Sequence, residues 1–229
     1  MKSPCRKSTA SLVLATPCSS MENKKNYYLE SLKEIEKLDK SGPKPTLLLH
    51  ACCAPCSTFT LLFLCPHFDV TIFYNNSNIY PLSEFEKRRD ELKNFLKDFK
   101  KKEGHKVALI IPEYNNDQYN IELEPYADLP EGSRRCFICY EKRMDEAYAY
   151  AEQNGFAYFA TAMTISRQKN SQILNAIGEK LSTRYPKTKY FHSDFKKNKG
   201  IDIAKAMRDE YGLYQQTYCG CKYTFLKKN

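Results

Sequence analysis

Glycine is scarce in this chain, eight of 229 residues, and none is set in a G-x-x-x-x-G-K-S/T or G-x-G-x-x-G pattern. Those patterns use glycine to bring backbone N–H groups around phosphate oxygens. Their absence argues against an ATPase of the phosphate-loop type and against a standard nicotinamide-dependent enzyme. No apolar run approaches the ~20 residues that a helix needs to cross a bilayer, so no membrane association is expected. No internal repeat is present.

What the chain does have is sulfur. Seven of its ten cysteines fall into three tight groups: Cys52-Cys53-Ala54-Pro55-Cys56, Cys136-Phe137-Ile138-Cys139 and Cys219-Gly220-Cys221. Thiolates ligate soft metals and iron–sulfur clusters, and short spacings let one turn present two sulfurs to the same centre. Disulfide bridging fits poorly, because adjacent Cys52 and Cys53 and the tight C-x-C conflict with preferred bridge geometry. Clustered thiols in a chain of this size point to a metal or redox site in a reducing compartment. A lone C-x-x-C would serve zinc, a redox pair or a cluster alike. Seven thiols exceed what one tetrahedral zinc takes, whereas four fill a 4Fe–4S cluster and leave sulfurs for a second metal or a redox pair. Spacing alone leaves iron–sulfur and zinc both open. Cys65, in Leu64-Cys65-Pro66, reads as a buried inert thiol.

The chain carries 36 Lys+Arg against 27 Asp+Glu, a net charge of +9 compatible with a polyanionic partner such as nucleic acid. Its hydrophobic fraction of 42% is that of an ordinary globular protein, with length enough for a core without disulfide staples. Residues 1–20 are Ser/Thr-rich, and their apolar patch, Leu12 to Ala15, is too short for a signal peptide. Cys5 and Cys18 lie there and are not expected to be ligands. The expected organisation is an extension over residues 1–40, partly disordered and then one helix, followed by a single α/β catalytic domain over 41–229, in the cytoplasm.

Tyr27 to Leu38 reads as an amphipathic helix with Leu29, Leu32, Ile35 and Leu38 on one stripe. Thr46 to Ala51 is a continuous apolar run, as expected of a strand buried on both faces, and the first cysteine group follows it directly. Further strands are expected at 69–74, 106–111, 158–162 and 189–193. Helices are expected from Ser57 to Leu64, from Ser83 to about Lys102 with a Ser83/Glu86 capping box, from Tyr140 to Gln153, from Ser171 to Thr183 and from Ile201 to Tyr211. Residues 112–133 read as irregular. This alternation predicts a Rossmann-like parallel sheet with helices on both faces. Ligands of such sheets bind beyond the carboxyl ends of the strands, so the metal site is expected there.

His50 closes the first strand and reads as a core or supporting group rather than a ligand. Arg134 and Arg135 flank the second cysteine group at the start of a helix, which favours thiolates. Arg167, Lys169 and Asn170 follow a strand end, where they suit phosphate contact or a plain polar loop equally well.

The stretch Leu48-Leu49-His50-Ala51-Cys52-Cys53-Ala54-Pro55-Cys56-Ser57 resembles the signature of the QueH-type epoxyqueuosine reductases. So do Phe73 to Pro81 with Glu84-Phe85-Glu86-Lys87-Arg88-Arg89, then Glu131 to Cys139, and finally Gln216-Thr217-Tyr218-Cys219-Gly220-Cys221. The similarity runs from about Thr46 to Thr224.

The resemblance implies the last step of queuosine synthesis: two-electron removal of the epoxide oxygen from epoxyqueuosine at the wobble position of tRNA, without cobalamin. It implies a 4Fe–4S cluster with a mononuclear metal, iron or zinc, nearby, and an external low-potential electron donor. On this basis Cys52, Cys53, Cys136 and Cys139 are expected at the metal centre, with Cys56 as a further ligand. Cys219 and Cys221 would form a redox-active dithiol or sit beside the cluster. Tyr218, Tyr74 and Glu84 are candidate proton donors, and Tyr80 or Tyr74 would hold the flipped base. Arg88, Arg89, Arg134, Arg135, Arg167 and Lys169 are the expected tRNA contacts. Two other readings compete. A cluster-dependent tRNA sulfur transferase would need ATP, yet Cys52-Cys53-Ala54-Pro55 stands where its Ser-Gly-Gly loop belongs. A zinc-stabilised RNA-binding module would need no catalysis at all.

Overall fold

A computed structural model describes residues 24–227. The expectations for residues 1–20, including those for Cys5 and Cys18, lie outside the described residues. Five strands form one parallel sheet: β1 (Thr46–His50), β2 (Asp69–Phe73), β3 (Ala108–Ile110), β4 (Tyr158–Thr161) and β5 (Lys189–Tyr190), in the order β3-β2-β1-β4-β5. The central strand β1 pairs with β2 through Leu48↔Thr71 and with β4 through Leu48↔Phe159.

Period-two alternation divides the apolar residues of β1 between two layers. Leu47 and Leu49 face a core built with α2 (Ala54–Leu64), α3 (Leu82–Glu103) and α7 (Gly200–Glu210), containing Phe59, Leu61, Phe95, Phe99 and Met207. Leu48, Phe73 and Phe159 face a second core with α5 (Arg134–Gln153) and α6 (Ser171–Ser182), containing Met144, Ala147, Tyr148 and Leu174. All three leucines are fully buried, and each such side chain contributes about 1.5–3 kcal/mol from burial. Gly178 lets α6 approach the sheet, since a Cβ there would stand 2.1 Å from the Tyr190 ring. The expected α/β sheet with helices on both faces is thus present.

Local readings differ in five places. The buried stripe of α1 (Tyr27–Glu36) is Tyr27, Ser31 and Ile35, while Leu29 is exposed, because the helix lies with Tyr27 stacked on His192. No Ser83/Glu86 capping box forms, because α3 begins at Leu82 with Pro81 as its cap and Ser83 already inside. Residues 112–133 contain α4 (Asn116–Asn120), capped by the Asn115 side chain, and a 3-10 turn at Glu124–Tyr126. Helix α5 starts at Arg134, so Cys136 and Cys139 are helical. Strand β5 stops at Tyr190.

Beyond β1 the sequence order reverses: β2 and β3 lie to one side, β4 and β5 to the other. The carboxyl ends of β1 and β4 therefore flank the crevice where such sheets place their ligands. A 3-10 turn, Ala162–Ile165, follows β4 there. A short final helix, α8 (Lys222–Leu226), follows the third cysteine group.

Candidate metal centre

The first sulfur group is set by the exit from β1. Cys53 is extended (φ −170°) and caps α2, with Pro55 in the first turn, where its missing N–H costs nothing. Cys52 and Cys53 thus stand before the helix and Cys56 within it. The Cys52 sulfur lies 3.9 Å from that of Cys53 and 3.9 Å from that of Cys56, and all three lie within 4.8 Å of one another. A tetrahedral metal with ~2.3 Å bonds to sulfur separates its ligands by roughly 3.8 Å. The trio therefore fits one metal ion.

The second group lies on one face of α5, as an i, i+3 pair must. Cys136 accepts the Gly132 N–H at 3.3 Å, and Cys139 accepts the Tyr119 hydroxyl at 3.2 Å. The third group is stitched to the loop after β2. Ile79 and Cys221 form an antiparallel bridge, and the Tyr80 N–H donates to the Gly220 carbonyl at 2.7 Å. The buried Arg88, paired with Glu84 at 2.7 Å, donates to the carbonyls of Tyr218 and Cys219, each at 3.4 Å.

Two contacts draw the groups together. Gln216 Nε2 donates to Cys53 Sγ at 3.2 Å, joining the approach to the third group to the first. Cys139 and Cys221 share a buried cluster with Tyr119, Leu123 and Tyr223. All eight cysteines of the described residues are free thiols, including Cys219 and Cys221. Cys65 is buried apart from the site, in the core beneath α2.

The electrostatics single out Cys52. Hydrogen bonds from the Cys53 and Cys56 thiols hold it well below the usual thiol range despite burial, aided by the charges of Lys169 and Arg143. The same sharing with Cys52 pushes Cys53 up to about 12 and Cys56 well up. The three sulfurs thus share protons that a bound metal would displace. Burial raises Cys136, Cys139 and Cys221, opposed by the Gly132 N–H, by Arg143 and by Thr224 respectively. His50 is fully buried with Nδ1 3.1 Å from Thr161 Oγ1, and burial together with Arg143 lowers it to about 3, so it stays neutral.

The other expected site residues are dispersed. Tyr218 donates its hydroxyl to the Tyr80 carbonyl at 2.5 Å, and Tyr74 gives its own to Phe85 at 2.9 Å inside the core. Arg88 and Arg135, expected as tRNA contacts, are 1% and 2% exposed; beside its pair with Glu84, Arg88 donates to main-chain carbonyls, as Arg135 does to those of Tyr126, Ala127 and Leu129. Arg134 and Arg167 are exposed, and Arg89 pairs with Asp90 and Glu86. Lys169 is half-buried beside the Tyr140 ring and faces Cys219 and Cys52. Sequence reasoning missed Tyr119, Gln216 and Arg143, all of which touch or face the sulfurs.

The model of the family described as epoxyqueuosine reductase QueH matches residues 47–227. This chain belongs to the epoxyqueuosine reductase QueH family. The match opens at β1 and takes in all seven grouped cysteines. The chain is 39% identical to the epoxyqueuosine reductase QueH of Streptococcus pyogenes serotype M1, covering 88% of this chain and 79% of that protein. With the QueH protein of Staphylococcus epidermidis it shares 37% identity, over 92% of this chain and 89% of the relative. With that of Thermotoga maritima it shares 30%, over 80% and 92%. By these names the family is one of oxidoreductases. Among the described residues no helix is long and apolar enough to cross a membrane.

Proposed function

We propose that this chain reduces epoxyqueuosine to queuosine at the wobble position of tRNA, by an iron–sulfur-dependent, cobalamin-independent route. The observation that carries the reading is the gathering of free thiols at the carboxyl edge of the sheet, in a chain whose curated relatives are named as epoxyqueuosine reductases. The reaction takes two electrons and two protons, breaks the two C–O bonds of the epoxide, forms a C=C bond and releases water. The electrons would come from an external low-potential donor.

The sulfur spacing supports a division of labour. Cys52, Cys53 and Cys56, at separations suited to one ion, would hold a mononuclear metal. Cys136, Cys139, Cys219 and Cys221 supply the four thiolates that a 4Fe–4S cluster requires. This departs from the sequence expectation, which joined Cys52 and Cys53 to Cys136 and Cys139. When bound, the two centres would supply electrons singly and a Lewis acid for the epoxide oxygen.

The polypeptide's own part is binding and proton supply. A cavity of about 570 Å³ lined by Pro81, Ser83, Glu84, Tyr214, Thr217, Tyr218 and Phe225 adjoins the third cysteine group in sequence. Its aromatic walls suit a base taken out of its stack. Burial raises the Tyr218 hydroxyl to about 12, so it holds its proton at neutral pH and is our candidate donor. Tyr74 is less suited, because the core encloses it. Arg134 and Arg167 are the exposed cations best placed to meet phosphates, and the net charge of +9 favours a polyanion. The free thiols suit a reducing compartment, the cytoplasm.

The test is anaerobic purification with iron and sulfide analysis, then incubation with epoxyqueuosine-containing tRNA and a low-potential reductant. Loss of one oxygen from the modified nucleoside is expected. Unchanged nucleoside in the presence of a fully loaded centre overturns the reading.

A further inference from the structure

Arg143 lies on α5 one turn beyond Cys139 and is 2% exposed. A guanidinium keeps its proton in a protein, so this residue carries a fixed positive charge into the core. Buried charges are ordinarily paired or bound to a metal. Arg88 follows that rule through Glu84. Arg143 forms no ion pair with any carboxylate among the described residues, and Glu146 on the next part of α5 is exposed. Its donors reach only the Cys139 carbonyl at 3.4 Å and the Met163 thioether at 3.0 Å, a weak acceptor.

The acidic groups that do face it are Cys139, Tyr119, Cys52 and Cys219. Tyr119 is locked in its neutral form by burial and by the Cys139 sulfur. That leaves sulfur. Lys169 repeats the pattern: it forms no ion pair among the described residues, lies against the same Tyr140 ring as Arg143 and faces Cys219 and Cys52. Two cations drawn from different elements, α5 and the loop after β4, thus face sulfur from all three groups between them, where a carboxylate would be the ordinary partner.

We propose that Arg143 is the built-in counter-charge of an anionic metal–thiolate centre, a positioning residue that steadies the loaded site and burdens the empty fold. Several thiolates around one or two metal sites carry more negative charge than the metal cancels, and a fixed cation in the adjoining core offsets the excess. The same charge favours the reduced, more negative state of the centre and so raises its potential. Metal retention and potential rest on the reading of the sulfurs as ligands given above. The stability of the stripped protein does not.

The experiment compares wild type with Arg143→Met, which keeps the bulk, Arg143→Gln, which keeps polarity, and Arg143→Lys, which keeps the charge. Each is purified anaerobically and studied loaded and after removal of metal by a chelator. Both uncharged variants are expected to retain metal ~10–100-fold less tightly, and to show a midpoint potential shifted to more negative values. Arg143→Lys should recover most of both. Stripped Arg143→Met should melt at or above stripped wild type, since a buried charge without a carboxylate partner has been removed. Unchanged retention and potential in both uncharged variants overturn the proposal. So does an Arg143→Lys variant as impaired as Arg143→Met, because shape rather than charge would then matter. So, too, does a stripped Arg143→Met that melts well below stripped wild type. If wild type holds no metal at all, the functional reading fails, and the stripped-protein comparison still decides whether the charge burdens the empty fold.

Discussion

The Arg88 guanidinium occupies the space beside Gly220, where an added Cβ would stand 2.9 Å from Nη1. Gly220 also has φ +111°, in the region that side chains rarely adopt. The two residues fit together because one lacks a side chain and the other is held in place by Glu84. Gly220→Ala must therefore push away the group that grips the Tyr218 and Cys219 carbonyls. We expect a folded protein that has lost metal bound through Cys219 and Cys221. Far-ultraviolet circular dichroism should be unchanged while iron per chain falls. Full loading in this variant would show that the Arg88 contact does not position the loop.

Tyr119 offers a finer test. Its hydroxyl lies 3.2 Å from the Cys139 sulfur and 3.0 Å from the Cys139 carbonyl. Tyr119→Phe removes both contacts and should cost about 1–2 kcal/mol of stability. Thermal melting reads the first effect. A shift of the sulfur-to-metal absorption band, with the metal still present, reads the second.

The two sulfur sets should separate under substitution. Cys56→Ala is expected to lower total metal by about the share of one mononuclear ion and to leave acid-labile sulfide untouched. Cys136→Ala should abolish sulfide and the visible colour. Elemental analysis of the two proteins side by side checks this, and loss of sulfide in Cys56→Ala would mean that the sets are shared.

Cys65 supplies a pH prediction outside the site. Burial raises its thiol from 9.0 to about 12. The folded chain therefore holds a proton that the unfolded chain releases near pH 9, so this contribution is complete below pH 9 and fades between pH 9 and 12. Unfolding free energy should fall through that window by at most about 1.4 kcal/mol per pH unit from this group, and the melting temperature with it. Cys65→Ala should flatten part of the slope and leave metal content unchanged. An identical alkaline profile in the two proteins contradicts the assignment.

Much of the frame was legible because it rests on strong local signals. The run Thr46 to His50 could be little else than a buried strand, and a sulfur group just past it had to emerge at the carboxyl edge. The start of α5 was less legible. Gly132 and Ser133 read as loop and the helix as starting at Tyr140, just past the cysteines, whereas it begins at Arg134 and contains them. The five-residue α4, which carries Tyr119, is too short to show periodicity, and the Asn115 cap is its one local signal. Arg88, Arg135 and Arg143 illustrate a deeper limit. Each sits in a charged helix and looks like a solvated face, yet each is buried: Arg88 serves carbonyls from distant sequence, Arg135 those of the preceding loop, and Arg143 faces sulfur. No local pattern distinguishes such an arginine from one in water.

The first grouped cysteine and the last lie at residues 52 and 221, at opposite ends of the matched span. A nascent chain that has made the first three strands and halted can offer a metal the opening trio, never the whole set. On the division of sulfurs proposed above, capture of the complete complement would be a late event that follows closure of the sheet and docking of the tail. The colour of the loaded protein should accordingly serve as a gauge of maturation during biosynthesis, absent from every truncated product that stops short of residue 219.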